Sequence, residues 1–189
     1  MGETIMQQII ISGVGGQGVL FVTRLLAEAA IKKGLAVFTS ETHGMAQRGG
    51  TVLSHLKVGD FSSPLIRPAQ ADGLLALRAE NLTQHGAFLK DGGWVIANGQ
   101  NEAKNDTIMP MDAIDADKLA RKIENPKAVN LIVLGFALAM AEKKSENRNT
   151  LFCSLAEIKD VLESRFGKNQ TMLRASLKAL EAGYNAKDK

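Results

Sequence analysis

Two glycine-rich segments hold most of the residue types in this 189-residue chain that could do chemistry. The first, Gly13-Val14-Gly15-Gly16-Gln17-Gly18, follows the apolar run Ile9-Ile10-Ile11 and precedes an apolar-striped stretch. Glycines between a strand and a helix let a phosphate approach backbone N–H groups that have no intrahelical partner, so this is a phosphate-binding geometry. Gly13, Gly15 and Gly18 satisfy GxGxxG in the strand-turn-helix context the pattern needs. The competing reading is mechanical: the same glycines let the first helix pack tightly on its sheet.

The second segment is Ser40-Glu41-Thr42-His43-Gly44-Met45-Ala46-Gln47-Arg48-Gly49-Gly50-Thr51, a polar loop between two predicted strands. Loops at the carboxyl ends of parallel strands share one edge of a sheet, so this loop is expected to converge on the Gly13 to Gly18 turn. His43, Gln47 and Arg48 supply donors for a carboxylate, a phosphate or a partner's carbonyl, and Arg48 suits a planar anion bidentately. The plainer reading is a loop capped by its own side chains. Glu41 sits where a dinucleotide site places the acid that holds a ribose, which keeps an NAD(P)-binding reductase open as an alternative. That reading lacks a proton-transfer set, since the one tyrosine is Tyr184 near the end of the chain. A non-catalytic binding module is a further alternative. His55 falls in a strand pattern and His85 near a helix end, where positive charge suits the dipole. Neither has metal-ligand spacing with His43.

The elements that must position these loops alternate strand and helix through the first half, which predicts an α/β fold: an open, mostly parallel Rossmann-like sheet flanked by helices. Strands are expected at 9–12, 35–40, 51–58, 74–77 and 94–97, with short extra segments near Phe61 and at 107–109. Val19, Val22, Leu25, Leu26, Ala29 and Ala30 recur at helical spacing, and Gly34 fits the stop. A second helix is expected over about 80–89, broken by Gly92-Gly93. From 112 onward the pattern is helical: 115–123, ended by Pro126, then an all-round apolar helix at 129–141, then two striped helices that pair at about 153–185. One domain over 1–189 with a helical C-terminal third is the economical reading.

Composition bounds the rest. A chain this long buries roughly 70% of its unfolded surface and needs neither disulfides nor metals to fold. The single cysteine, Cys153, excludes an internal disulfide and any cysteine-ligated zinc or iron–sulfur site built from this chain alone. It reads as a small buried hydrophobe. A formal charge of +3, with no Lys/Arg run interleaved with aromatics, gives no case for nucleic acid. The N-terminal residues lack a signal-type pattern, and the longest apolar run, 131–141, is shorter than the ~20 residues that cross a bilayer. A soluble cytoplasmic protein is expected.

At its two loops the sequence resembles a known family. Gly13-Val14-Gly15-Gly16-Gln17-Gly18-Val19-Leu20, with Glu41-Thr42-His43-Gly44-Met45-Ala46-Gln47-Arg48-Gly49-Gly50, is similar to the gamma-type domain of the 2-oxoacid:ferredoxin oxidoreductases, in particular the small (beta) subunit branch acting on indolepyruvate. The similarity spans nearly the whole length. One departure is Ala76-Leu77-Arg78-Ala79, where the family often shows a Glu-Pro pair. The resemblance implies oxidative decarboxylation of an arylpyruvate to an acyl-coenzyme A, with electrons passing through iron–sulfur clusters to ferredoxin. It also implies a large partner subunit that holds thiamine diphosphate, magnesium and the clusters. Thiamine sites use Gly-Asp-Gly followed by an asparagine, whereas here Gly59-Asp60 runs into Phe61. This chain is left with no catalytic residue, no metal and no stably bound cofactor. Its expected task is to cap the partner's thiamine site and receive coenzyme A through residues 13–18 and 40–50, with no nucleic acid or membrane partner.

Overall fold

The computed structural model describes residues 5–44, 50–99, 111–144 and 150–188. Its centre is β1 (Gln7–Val14), whose alternating side chains feed both faces of a sheet. Ile9 and Ile11 point to one face and Ile10 to the other, and all three are fully buried. α1 (Val19–Lys32) follows directly and stops at Gly34, whose φ of 73° is left-handed backbone that glycine adopts without strain.

β2 (Val37–His43) and β3 (Thr51–Val58) then form a hairpin, and β3 lies antiparallel beside β1 from Gln7↔Val58 to Val14↔Thr51. β4 (Ala71–Ala76), β5 (Leu89–Asn98) and β6 (Met111–Ile114) add in parallel on the far side of β1. Among the described residues this makes one six-stranded sheet in the order β2-β3-β1-β4-β5-β6. The expected sheet is therefore present, but with an antiparallel strand inserted between the first two parallel ones.

Several local expectations are corrected. The segment near Phe61 forms no strand; it carries Pro64 and Pro68, which lack backbone donors, and instead lays Ile66 on the second face. The helix expected over 80–89 is three short pieces, a 3-10 turn at Ala79–Asn81, α2 (Leu82–His85) and a 3-10 turn at Gly86–Phe88, because Leu89 already pairs with Ala71 as strand. Gly92-Gly93 does not break that strand. It sits in an irregularity of β5 where register jumps from Ala71↔Leu89 to Gly73↔Trp94, with Gly92 at φ 72°. Residues 107–109 lie outside the described residues.

The longer helices share the Ile9 and Ile11 face. α3 (Ala116–Lys122) starts at Asp115, whose side chain accepts from the Lys118 N–H. It ends before Pro126, which opens a 3-10 turn into the next helix instead of stopping the previous one. α4 (Val129–Lys143) is buried from Asn130 through Met140, as its all-round apolar sequence demands. α5 (Leu155–Phe166) is opened by a capping box between Ser154 and Glu157, and α6 (Gln170–Tyr184) by Asn169. No described helix is long and apolar enough to cross a membrane.

The expected α5–α6 pair forms, but a tighter seam joins α6 to α4. A Cβ on Gly183 would sit 1.9 Å from the Ile132 carbonyl oxygen, and one on Gly135 would sit 2.0 Å from that of Leu180. Two glycines thus let two backbones touch. Leu134, Ala179 and Leu180, each fully buried, fill the space around them.

The second face is thinner. Ile10, Leu53, Leu74, Leu89 and Val95 are covered by Ile66 and by the short turns after β4. His55 is buried there. Its Nδ1 accepts from the Ile66 N–H at 3.2 Å, and its ring meets Phe88 edge-on. Burial, with Lys57 and His85 nearby, holds the His55 imidazole below the usual histidine range, and burial does the same for His85.

Two outcomes follow from this packing. Gly183→Val should destabilise the chain by about 3 kcal/mol or more, because a backbone carbonyl cannot yield as a side chain does. Gly15→Ala, whose added methyl would meet only Gly50 O at 3.8 Å, should cost less than about 1 kcal/mol. Urea unfolding of both variants compares them directly. Because both histidine pKa values are lowered on folding, the unfolded chain binds more protons below the ordinary value of 6.5. Stability should accordingly be lost as pH falls from there through the lowered folded values. Urea midpoints at pH 7.5 and 5.5 should differ in wild type and converge in a His55→Gln, His85→Gln double variant; equal wild-type midpoints would refute this.

Candidate functional site at the carboxyl rim of the sheet

The first glycine segment is built as a strand-turn-helix, and its glycines do different jobs. Gly13 is inside β1, where a Cβ would lie 2.7 Å from Val19 Cγ2 and 3.3 Å from Leu77 Cβ, so it is the one that seats α1 on the sheet. Gly16 and Gly18 have φ of 89° and 81°, and Gly18 caps α1 with no side-chain bond. Gln17 locks the turn from within: its Oε1 accepts from the Val14 N–H at 2.9 Å and its own N–H donates to Val14 O at 3.1 Å. The first turn of α1 contains no acidic residue, leaving its N-terminal dipole uncompensated. A Cβ at Gly18 would sit 2.1 Å from Asn130 Nδ2, so the start of α4 closes on the start of α1.

The second segment is the tip of the β2–β3 hairpin. Gly44 N–H donates to Thr51 O at 2.8 Å, which squares off the hairpin base. Gly15 N–H donates to Gly50 O at 3.0 Å, a direct bond between the two glycine segments. The two loops therefore meet on one rim. Ser40 lies opposite His55 and Glu41 opposite Ser54 on β2, both short of the tip, and Glu41 is exposed. His43 ends β2 opposite Val52. Met45, Ala46, Gln47, Arg48 and Gly49 lie outside the described residues.

A third segment, the turns after β4, completes the rim and was missed from the sequence. Leu77 N–H donates to Ser12 O at 2.7 Å. The Ser12 hydroxyl, fully buried, accepts from Asn81 Nδ2 at 3.0 Å and lies 2.7 Å from His85 Nδ1. A serine oxygen has two acceptor positions, so the Ser12–His85 bond can form with either ring tautomer while Asn81 donates to the same oxygen. Burial lowers the His85 pKa, which works against the positive charge expected to suit the helix dipole there. The preceding residue, Gln84, takes a 3.3 Å bond from Thr51 Oγ1 at the hairpin base. The signal in the sequence was Ser12 interrupting an isoleucine run, with Asn81 and His85 four residues apart on one side of a turn. Asn98 braces the far side, donating to Leu77 O and Asp117 and accepting from Ala116 N–H.

An open groove of about 440 Å³ runs from Gly15, Gly16 and Gly18 past Phe21 to Arg24 and Arg165. Arg165 is 2.9 Å from Glu28 and stands 5.7 Å over the Phe21 ring, while Arg24 is exposed. Backbone amides, a helix N-terminus and two guanidinium groups make this an anion-receiving surface. The donor set does not fit metal-centred chemistry. Among the described residues no group of three or more His, Cys, Asp or Glu could hold a metal ion. Cys153 is buried, and that burial, with Glu157 nearby, pushes its thiol far up from the usual range. Gly59-Asp60 turns the chain at the end of β3 remote from the rim.

Strand order also weighs against a dinucleotide reductase. With β3 between them, β1 and β2 are two strand spacings apart, about 9.6 Å rather than about 4.8 Å. Glu41 is thereby carried away from the place where a ribose bound at Gly18 would need it.

The comparisons agree with this architecture. Residues 8–186 match the family described as pyruvate ferredoxin/flavodoxin oxidoreductase. Indolepyruvate oxidoreductase subunit IorB of Archaeoglobus fulgidus is 29% identical over 94% of this chain and 93% of its own. Ketoisovalerate oxidoreductase subunit VorA of Methanothermobacter thermautotrophicus is 26% identical over 93% of this chain but only 35% of its own length. Among solved structures, the gamma subunit of a keto/oxoacid ferredoxin oxidoreductase from Geobacter sulfurreducens superposes with a TM-score of 0.73 at 24% identity, covering 95% of this chain and 96% of that one. A 2-oxoglutarate:ferredoxin oxidoreductase from Magnetococcus marinus, with 2-oxoglutarate, coenzyme A and succinyl-CoA bound, gives 0.71 at 21% identity over 98% of this chain and 32% of that one. A mixed sheet with helices banked on one face, a glycine-lined rim and a sequence match over almost its full length together place this chain in the pyruvate ferredoxin/flavodoxin oxidoreductase family, as a subunit of a 2-oxoacid:ferredoxin oxidoreductase complex.

Proposed function

We propose that this chain, folded as one domain over 1–189, is the subunit without redox centres in a cytoplasmic oxidoreductase that converts indolepyruvate or a related arylpyruvate to an acyl-coenzyme A and reduces ferredoxin. Thiamine diphosphate, magnesium and iron–sulfur clusters belong in this reading to a large partner subunit, where they supply the decarboxylation and the electron path. The donor set of the described residues, with no cluster placed to hold a metal ion, supports that division. So does the relative in which a similar stretch makes up 35% of a longer oxidoreductase chain.

The observation that carries the proposal is the 3.0 Å bond from Gly15 N–H to Gly50 O. It ties the Gly13 to Gly18 turn to Gly50 at the base of the hairpin, and the sequence between Gly44 and Gly50 carries Gln47 and Arg48. Packed over a partner's reaction centre, this rim excludes water and strengthens the electrostatic contacts beneath it. The free N–H groups at the start of α1 suit the diphosphate of coenzyme A, and Arg48 adds a bidentate donor.

Co-expression with the large subunit and an assay of arylpyruvate- and coenzyme-A-dependent viologen reduction test this. Activity should require both chains. Arg48→Ala should lower kcat/KM for coenzyme A by roughly 10- to 100-fold, the cost of about 1.5–3 kcal/mol for a charge-assisted bond, with assembly intact. Normal kinetics in a normally assembled variant, or tight nicotinamide binding by the isolated chain, would overturn the reading.

A further inference from the structure

A second cationic site lies on the face of the sheet opposite the long helices, near the other end of β1. Lys57 pairs with Gln8 across β1 and β3, six residues along β1 from the Val14↔Thr51 pair at the rim, or roughly 20 Å away. Its residue is 93% covered, by a single layer of chain formed by the 61–67 loop, with the ammonium 5.0 Å over the Phe61 ring. Among the described residues that ammonium has no carboxylate or hydrogen-bond partner. It lines an open groove of about 390 Å³ together with the exposed Arg67 and the side chains of Ser62, Ser63 and Gln70. The one carboxylate on the neighbouring strand, Asp72, is committed to Lys90 and to the Gln8 N–H.

Two cations beside one groove, one of them nearly covered, repel each other and lack the counter-charge that burial of a cation calls for. Arg67 and burial together hold the lysine below its usual range. The groove is edged by apolar side chains left in water: Phe38, paired with Lys57 across β2 and β3, is 39% exposed and Leu65 is 53% exposed. A free small anion would leave those two uncovered. Exposed apolar side chains beside two unpaired cations call for a macromolecular partner that brings both an apolar surface and a complementary carboxylate.

We propose that this groove docks an acidic side chain of the large partner subunit, an Asp or Glu carried on a segment whose flanking apolar residues cover Phe38 and Leu65. The inference rests on the subunit reading above and adds a contact remote from the rim. The carboxylate completes an ion pair with Lys57 and Arg67, and the complex gains an anchor that does not touch the coenzyme A surface.

The test is the affinity of the purified chain for the large subunit at 50 and 300 mM NaCl, in wild type, Lys57→Met and Arg67→Glu. Arg67 is exposed, so its variant should keep the wild-type melting temperature even if Lys57→Met does not. Both variants should bind at least about tenfold more weakly at low salt, and Arg67→Glu should lose most of the wild-type salt dependence. Unchanged affinity in Arg67→Glu would overturn the proposal while leaving the subunit reading intact. So would stabilisation of wild type, but not the variants, by sub-millimolar phosphate or succinate with assembly unaffected, which would mark a free-anion site. Failure of wild type to bind the large subunit at all would remove both.

Discussion

The antiparallel placement of β3 beside β1 is the constraint on which the rim depends. It brings the amino end of β3 against the carboxyl end of β1, so Gly50 faces Gly15 and a backbone hydrogen bond of 3.0 Å can form between segments 35 residues apart in sequence. In a fully parallel sheet the residues entering a strand lie at the opposite end from the turn that leaves its neighbour. Here the hairpin base at Gly50 and the helix-opening turn are joined directly. The same insertion moves β2 outward and separates Glu41 from the glycine turn, so one topological choice favours a joint binding surface and disfavours a dinucleotide site.

The helices explain why that surface sits on a firm base. α4 contributes apolar side chains from every side and touches α6 backbone to backbone through Gly135 and Gly183. Residue Asn130, at the start of α4, reaches the N-cap of α1 at Gly18. The seam between α4 and α6 thus bears on the turn where an anion would meet the amides. Among the described residues no such bank of helices covers the other face. The small cluster around Ile10 is closed by turns and a loop, and it is there that polar groups such as His55 and Lys57 come under cover.

Much of this was legible in the sequence because single residues carry strong local rules. Ile9-Ile10-Ile11 before a glycine series gave β1 and α1, and Thr51 to Val58 was read with the bounds the structure has. The features that were not legible are those set by distant partners. Gly92-Gly93 reads locally as a break, yet it lies within a strand because Gly73 admits the Trp94 ring, whose atoms come within 2.0 Å of where a Cβ would stand. A stripe on α6 reveals an apolar face but not which helix it meets; Gly183 on that helix was the clue that the contact is backbone-close. His85 looked like a dipole partner because its hydrogen-bond partner, Ser12, is 73 residues away.

The charge states at the rim bear on what the surface can receive. Burial lowers the His85 pKa and so favours its neutral form, and Asn81 completes the network with Ser12 without adding charge. The field at the glycine turn then comes from the α1 amides and from Arg24 and Arg165, the last partly offset by the Glu28 carboxylate 2.9 Å away. With its pKa lowered, His85 adds no charge around neutral pH and takes up a proton only as pH falls, so the field at the rim is constant over the range where the histidine is neutral. Such an arrangement would suit a surface that held and oriented an anion, because a positioning surface works best when its own protonation is fixed.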